Sequence, residues 1–340
     1  MKSNFLLPSF MSILFLLISI QSYASVTNRL TYDSLNDASP SAYDGTIAWH
    51  GSDTEDYEIY YWDGDSITQI TDNSYFDSEP SLYNGTIAWS GGDYTRTETP
   101  EIYYWDGSTT TQVTINNSVE SDLSLFNGNI SWSSSIGGKA SELNIFYYKR
   151  NFIIQLTDNA HMEYSTSLYN GAIAWCRGTN TSAEIVYWDG DSITQITNNS
   201  AGDFDPSLYN GSIAWSGFDG EDYEIYYWDS ESITQITNNN IDDFAPSLYN
   251  GNIAWSGGSY MSGKAPEVFF WDGNSITQIT DNSYTDEQVS LHKNIIAWTA
   301  YREDTSEIYY VNLNEIPQES TNDGDGGGGG GGCFIVDLQR

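Results

Sequence analysis

From about residue 26 onward, short apolar runs alternate with polar turns, and the alternation itself repeats. The segment "PSLYNGTIAW" at 80–89 returns with small changes at 40–49, 166–175, 206–215 and 246–255, and more loosely at 123–132 and 289–298. Each copy is followed by a polar loop, then by a run such as "EIYYWDG" (58–64), then by one such as "SITQIT" (66–71). The runs are rich in β-branched and aromatic residues and are broken by Asn-Gly and Asp-Gly pairs. That pattern predicts antiparallel strands joined by tight primed turns. Each unit therefore predicts four strands: A ("PSLY"), B ("TIAW"), C ("EIYYW") and D ("SITQIT").

A period of 40 to 43 residues with four strands is that of a β-propeller blade. Strand C is apolar on both faces, with Ile59 and Tyr61 on one and Tyr60 and Trp62 on the other. A sheet sandwiched between two neighbouring sheets needs such a strand, whereas a half-solvated sheet would alternate. Strand D, rich in Thr and Gln, suits a wet outer edge. There are seven A–B–C sets, and the last, "EIYYVNL" (307–313), has no D strand after it. The missing strand is matched at the other end by "VTNRLT" (26–31). The expected fold is thus all-β: a seven-bladed β-propeller of four-stranded blades over residues 25–316, closed by the amino-terminal strand. Trp49, Trp89, Trp132, Trp175, Trp215, Trp255 and Trp298, one at the end of each strand B, are expected to be structural.

The flanking segments add a compartment. Lys2, the apolar run 5–20 and "SYA" (22–24) have the form of a cleavable signal peptide over residues 1–24, so the protein is expected to be exported to a periplasm or the cell exterior. No membrane span is expected after cleavage. Residues 317–340 form a Gly-rich tail ending near Cys333; with Cys176 it is one of only two cysteines, too few for a disulfide scaffold. The tail is expected to be a disordered spacer. The chain carries 47 acidic and 11 basic residues, a formal charge of −36. Such a surface repels nucleic acid and anionic membranes and favours a soluble monomer.

The repeats resemble those of TolB-type periplasmic propellers: a Pro before strand A, a turn ending in Gly, "IA" plus an aromatic, "IYY" with "DG", then "IT". The resemblance covers the chain from 26 to 316 and implies a protein-interaction propeller of the cell envelope. Two departures stand out. The turn is "LYNG" rather than Ser-Pro-Asp-Gly, and the α/β domain that precedes the propeller in TolB has no counterpart here.

Function is harder to place. From the strand B Trp to the first residue of strand C is 9 residues in blades 1, 4, 5 and 7 but 12 in blades 2, 3 and 6; from there to the next Trp is always 31. All length variation therefore falls in the B–C loops, which share one face of the disc with the D–A loops and are the expected binding face. Carboxylates precede strand A in every blade: Asp37, Asp77 with Glu79, Glu120 with Asp122, Glu163, Asp203 with Asp205, Asp242 with Asp243, and Asp286 with Glu287. They are expected to ring the channel mouth, where they could hold a basic protein partner or Ca²⁺, although no EF-hand spacing occurs. Five basic residues, Arg96, Lys139, Arg177, Lys264 and Arg302, lie in the B–C loops of other blades and join this candidate surface.

Catalysis finds little support. Only His50, His161 and His292 are present, and no nucleophile elbow, zinc-helix motif or phosphate loop occurs. The expected function is a non-catalytic interaction scaffold without a cofactor. A lectin-like propeller stacking sugars on recurring aromatics is the alternative, and a polysaccharide-active enzyme a more distant one.

Overall fold

The computed structural model describes residues 26–92, 99–135, 142–179, 181–259 and 264–316. The expected leader, the tail with Cys333, and the candidate residues Arg96 and Lys139 lie outside the described residues. Seven four-stranded antiparallel sheets form a seven-bladed propeller. Blade 1 runs A Asp37–Tyr43, B Thr46–Ser52, C Tyr57–Trp62 and D Ile67–Gln69, and blades 2 to 6 repeat that order. Blade 7 joins A Thr285–His292, B Ile295–Tyr301 and C Ser306–Asn312 to a D strand at Asn28–Arg29. There Asn28 pairs with Tyr310 and Arg29 with Tyr309, so the amino-terminal strand closes the ring.

Strand D is shorter than the six-residue run predicts, usually three residues. The chain leaves the ladder because its final Thr turns a side chain into it: Ile59 N donates to Thr71 Oγ1 at 2.8 Å. The same bond closes blade 7, where Ile308 N donates to Thr31 Oγ1 at 3.0 Å. A Thr at that position satisfies a buried N–H that would otherwise be orphaned.

The ten-residue motif divides its work by position. Its Ser joins blades: Leu82 N donates to Ser41 Oγ and Leu125 N to Ser81 Oγ, each at 2.9 Å. Such links continue around the ring, and Ala42 N closes it by donating to Ser290 Oγ at 2.9 Å. The Leu, Ile and Ala enter cores shared between adjacent blades, such as Ala48, Ile59, Leu82, Ile87 and Trp89. The Asn-Gly pair takes two left-handed residues, Asn84 at φ 48° and Gly85 at φ 73°, as a primed hairpin turn requires. The seven strand B Trp side chains are at most 1% exposed. They fill the blade interfaces, and no sugar can stack on them, which removes the basis for a lectin built on these residues.

Candidate functional site

The carboxylates that open strand A do not form an exposed ring. Asp37, Asp77, Glu120, Glu163, Asp203, Asp243 and Asp286 are all buried. Each lies 12 residues before its Trp, and in six blades the two are hydrogen-bonded. Trp89 Nε1 donates to Asp77 Oδ1 at 3.0 Å, Trp215 Nε1 to Asp203 Oδ1 at 3.0 Å and Trp255 Nε1 to Asp243 Oδ1 at 2.8 Å. Trp49, Trp175 and Trp298 do the same to Asp37, Glu163 and Asp286. In blade 3, Glu120 instead accepts from Asn116 Nδ2 at 2.7 Å, and Trp132 Nε1 has no hydrogen-bond partner. The second oxygen of the Asp usually takes an Asn four residues earlier, as in Asn73 to Asp77 and Asn199 to Asp203. These acids are structural joints between the D–A loop and the blade core. Burial raises the pKa of each Asp in this set, to about 7 for Asp37, and that of Glu120 to about 7.

Two residues further along strand A the picture reverses. Ser39, Glu79, Asp122, Ser165, Asp205, Ala245 and Gln288 all have φ between 50° and 60°. In each blade the A–B register slips around this residue, a β-bulge. A bulge re-aims a side chain, and here it turns one residue per blade toward the axis. Contacts run around the ring: Ser39 N donates to Gln288 Oε1 at 2.9 Å, Ser165 N to Asp122 Oδ2 at 3.2 Å and Ser165 Oγ to Asp205 Oδ1 at 3.4 Å. Asp122 also raises the pKa of Asp205 from two blades away, a reach available only near the axis.

The acids on this inner wall lie on one side, Glu79, Asp122 and Asp205 on blades 2, 3 and 5, while blades 6, 7 and 1 offer Ala245, Gln288 and Ser39. Glu79 and Asp205 are accessible to water yet walled by protein. Burial first, then repulsion from Asp122, pushes both pKa values up. Beside them, His50 Nδ1 accepts from Glu79 N at 3.3 Å, and burial holds its pKa near 4. His50 also lines a cleft of about 370 Å³ between blades 7 and 1, with Tyr57, Gln288, Tyr301 and Arg302. That volume lies in the range of small-ligand sites.

The other end of the channel is an aromatic collar. The last residues of the seven A strands, Tyr43, Tyr83, Phe126, Tyr169, Tyr209, Tyr249 and His292, touch in an unbroken ring with centroids 4.1–4.7 Å apart. Six of the seven interplanar angles fall between 46° and 58°, around the one-seventh turn of about 51° that seven-bladed symmetry applies to upright rings. Rings that close cannot lie side by side, so they stand like fan blades, faces against neighbours and edges toward the axis. The collar sits four residues below the bulge ring, roughly 13 Å along an extended strand. It narrows the channel to a cup that opens on the B–C face.

The remaining candidates scatter. Arg177 Nε pairs with the buried Glu163 at 2.9 Å. Arg302 lies over the Tyr284 ring, 4.5 Å from its centroid. Lys264 is exposed at the start of a C strand, and Asp242 Oδ1 accepts from Tyr223 N at 3.3 Å. Of the predicted carboxylates, Glu79, Asp122 and Asp205 enter the cup together. The collar was missed because its Tyr residues look like all the other repeat aromatics. Two further carboxylate groups could hold a cation, Asp53 with Glu58 and Asp72, and Asp219 with Asp222 and Glu224; neither belongs to the expected ring.

No family model and no curated protein matches the chain, so the TolB-type resemblance rests on the repeat motifs alone. Solved structures do match its fold. The puromycin-hydrolysing peptidase of Mycobacterium tuberculosis superposes with a TM-score of 0.65 at 11% identity over 83% of this chain and 51% of that one. The β-propeller domain of the Trilobed protease from Pyrococcus furiosus, described as having an open velcro topology, gives 0.66 at 11% identity, over 82% and 95%. The acylaminoacyl peptidase of Pyrococcus horikoshii gives 0.64 at 11%, over 84% and 54%. The chain thus spans about half the length of the two whole peptidases. Identity this low establishes the fold alone. Yet these propellers belong to peptidases, and that overturns the expectation of a non-catalytic envelope scaffold, for which nothing here speaks.

Proposed function

We propose that this propeller takes part in peptide hydrolysis as the substrate-selecting half of a peptidase, admitting peptides into its cup from the B–C face. The observation that carries the reading is the one-sided carboxylate wall of Glu79, Asp122 and Asp205, held at the axis by bulges above a collar that narrows the far end. Carboxylates short of water and repelling one another gain most from an ammonium group, so the wall selects a free α-amine or a lysine side chain. The likeness to peptidase propellers supports peptides as the source of that amine. Bond cleavage belongs to a catalytic unit corresponding to the part of those peptidases outside the alignment. An exported location, suggested by residues 1–24, completes the proposal.

The test uses a fluorescent oligopeptide with a free amino terminus and its acetylated twin, compared by anisotropy. The free amine should bind at least tenfold more tightly, and Glu79→Gln with Asp205→Asn should erase the difference while leaving the fold intact. Equal binding of the two peptides, or binding indifferent to both substitutions, would sink the proposal.

A further inference from the structure

Blades 1 and 5 share a B–C loop sequence found in no other blade, "SDTEDYE" at 52–58 and "FDGEDYE" at 218–224. Both loops make the same turn: Asp53 N donates to Asp56 O, and Asp219 N to Asp222 O, each at 3.1 Å. The first Asp secures it, Oδ1 of Asp53 accepting from Glu55 N and Asp56 N, and Oδ1 of Asp219 from Glu221 N and Asp222 N. The turn delivers carboxylates onto Glu58 and Glu224, the second residues of their C strands. Oxygens of Asp53, Glu58 and Asp72 lie within 4.8 Å of one another, as do those of Asp219, Asp222 and Glu224.

Convergence of acids means little by itself in a chain with 47 of them. What lies beneath them is more telling. Glu58 and Glu224 are 0% exposed. Their Oε1 atoms accept from Asn73 N at 2.7 Å and Asn239 N at 2.6 Å, but Oε2 of each has no hydrogen-bond partner. Neither has Oδ1 of Asp56 or of Asp222. Glu101, Glu184 and Glu267 also leave Oε2 unpartnered, so that atom alone does not mark a site. Blades 1 and 5 differ in aiming further carboxylates at it. Buried carboxylate oxygens gathered this closely are strongly unfavourable as anions, so they must take up either protons or a cation.

Blade 7 supplies the internal comparison. Its loop has the same length and the same turn, Arg302 N donating to Thr305 O at 2.8 Å. Arg302 and Thr305 stand where blades 1 and 5 have Asp. There Glu307 is met by the Arg29 guanidinium and by Thr31 Oγ1 at 2.7 Å. Arg29 occupies the strand D position that is Gln69 in blade 1 and Gln235 in blade 5. In blade 7, where Arg302 and Thr305 replace the two loop Asp residues, an arginine brings positive charge to the buried Glu. In blades 1 and 5, which lack that arginine, the loop acids gather; among the described residues, blades 2, 4 and 6 have neither.

We propose that the B–C loops of blades 1 and 5 each bind one Ca²⁺ ion, through Asp53, Asp56, Glu58 and Asp72 in blade 1 and Asp219, Asp222 and Glu224 in blade 5. Ca²⁺ takes six to eight oxygens at about 2.3–2.6 Å, so oxygens up to 4.8 Å apart can sit across one ion. All-carboxylate donors suit a hard cation, and loop carbonyls and water complete the shell. The two ions would stiffen two of the loops that frame the cup, independently of what the cup binds.

The experiment strips the full chain with a chelator and titrates it with Ca²⁺ by calorimetry at physiological salt. Tb³⁺ luminescence, sensitised by the adjacent Tyr57 and Tyr223, serves as a second reading. Two Ca²⁺ per chain are expected, with one lost in Asp53→Asn/Asp56→Asn, the other in Asp219→Asn/Asp222→Asn, and both in the fourfold variant. Ca²⁺ should raise the melting temperature of the wild type, and circular dichroism confirms that each variant is folded. Should the fourfold variant unfold, the two double variants still report one site each. A wild type that binds no Ca²⁺, variants that keep both ions, or only diffuse weak binding that salt abolishes would overturn the proposal.

Discussion

The two ends of the channel are built from the same strands by opposite rules. At the collar every blade contributes one ring at one position, on a turn of one length, and six of seven copies are Tyr or Phe. At the mouth the loops come in two lengths and their residues differ from blade to blade. Repetition closes the first end because identical contacts can circle back on themselves. Divergence opens the second, since an asymmetric ligand needs an asymmetric wall. The mouth is nevertheless founded on uniform parts, the buried Asp–Trp joints just behind it. In blades 2, 3 and 5 an acid in strand A is a joint at one position and a wall residue two positions on.

The sharpest way to break this division is at a joint. Trp215→Ala removes a buried indole and leaves Asp203 Oδ1 without its indole donor, and should cost about 3–5 kcal/mol in chemical denaturation. That is a large part of a typical total of about 5–15 kcal/mol. An unchanged denaturation midpoint would show that the joint bears no structural weight.

The collar should matter less. Tyr209→Ala removes two ring contacts, worth about 0.5–1.5 kcal/mol each, so a loss near 1–3 kcal/mol is expected from the same measurement. Its peptide binding should persist, because the carboxylate wall stands on the other side. Loss of binding without loss of stability would move the site to the collar.

A separate effect, spread over several buried acids, is expected from pH. Asp37, Glu120 and Glu267 are raised by burial to about 7, from ordinary values of 3.8 and 4.5. Between those limits the folded chain keeps protons that the unfolded chain has released. Stability therefore falls as pH rises from about 4 to about 7, the reverse of ordinary acid denaturation. Melting temperatures measured in chelator should be higher at the acidic end; a higher value at the alkaline end would mean the joints are ionised and otherwise compensated.

The fold was readable because the chain states it seven times, and even the closing strand kept the final Thr that its bond to Ile308 demands. The joints were misread for a physical reason. Charge in a loop reads as exposure, and only the fixed 12-residue step from acid to Trp, with Asn four residues before the acid, betrays a buried bond. A further hint was the Gly two residues after the Trp. A Cβ at Gly217 would lie 2.7 Å from Asp203 Oδ1, so the carboxylate needs that gap. Glu79, Asp122 and Asp205 were found by the same charge reading, correct there because the bulge turns them toward the channel axis. The collar left no signal of its own: a Tyr ending a strand looks alike whether it meets a core or six counterparts.

Closure by Asn28–Arg29 also sets an order of events. The first strand to leave the ribosome must wait for the last blade, a separation of 278 residues between Arg29 and Glu307. At about 5–20 residues per second that wait is on the order of half a minute. Throughout it, six blades can condense from near neighbours while the seventh stays open at an unsatisfied edge. A nascent ring of this kind would be prone to stick to its own copies. The surplus of negative charge, −36 over the chain, keeps such copies apart until the ends meet.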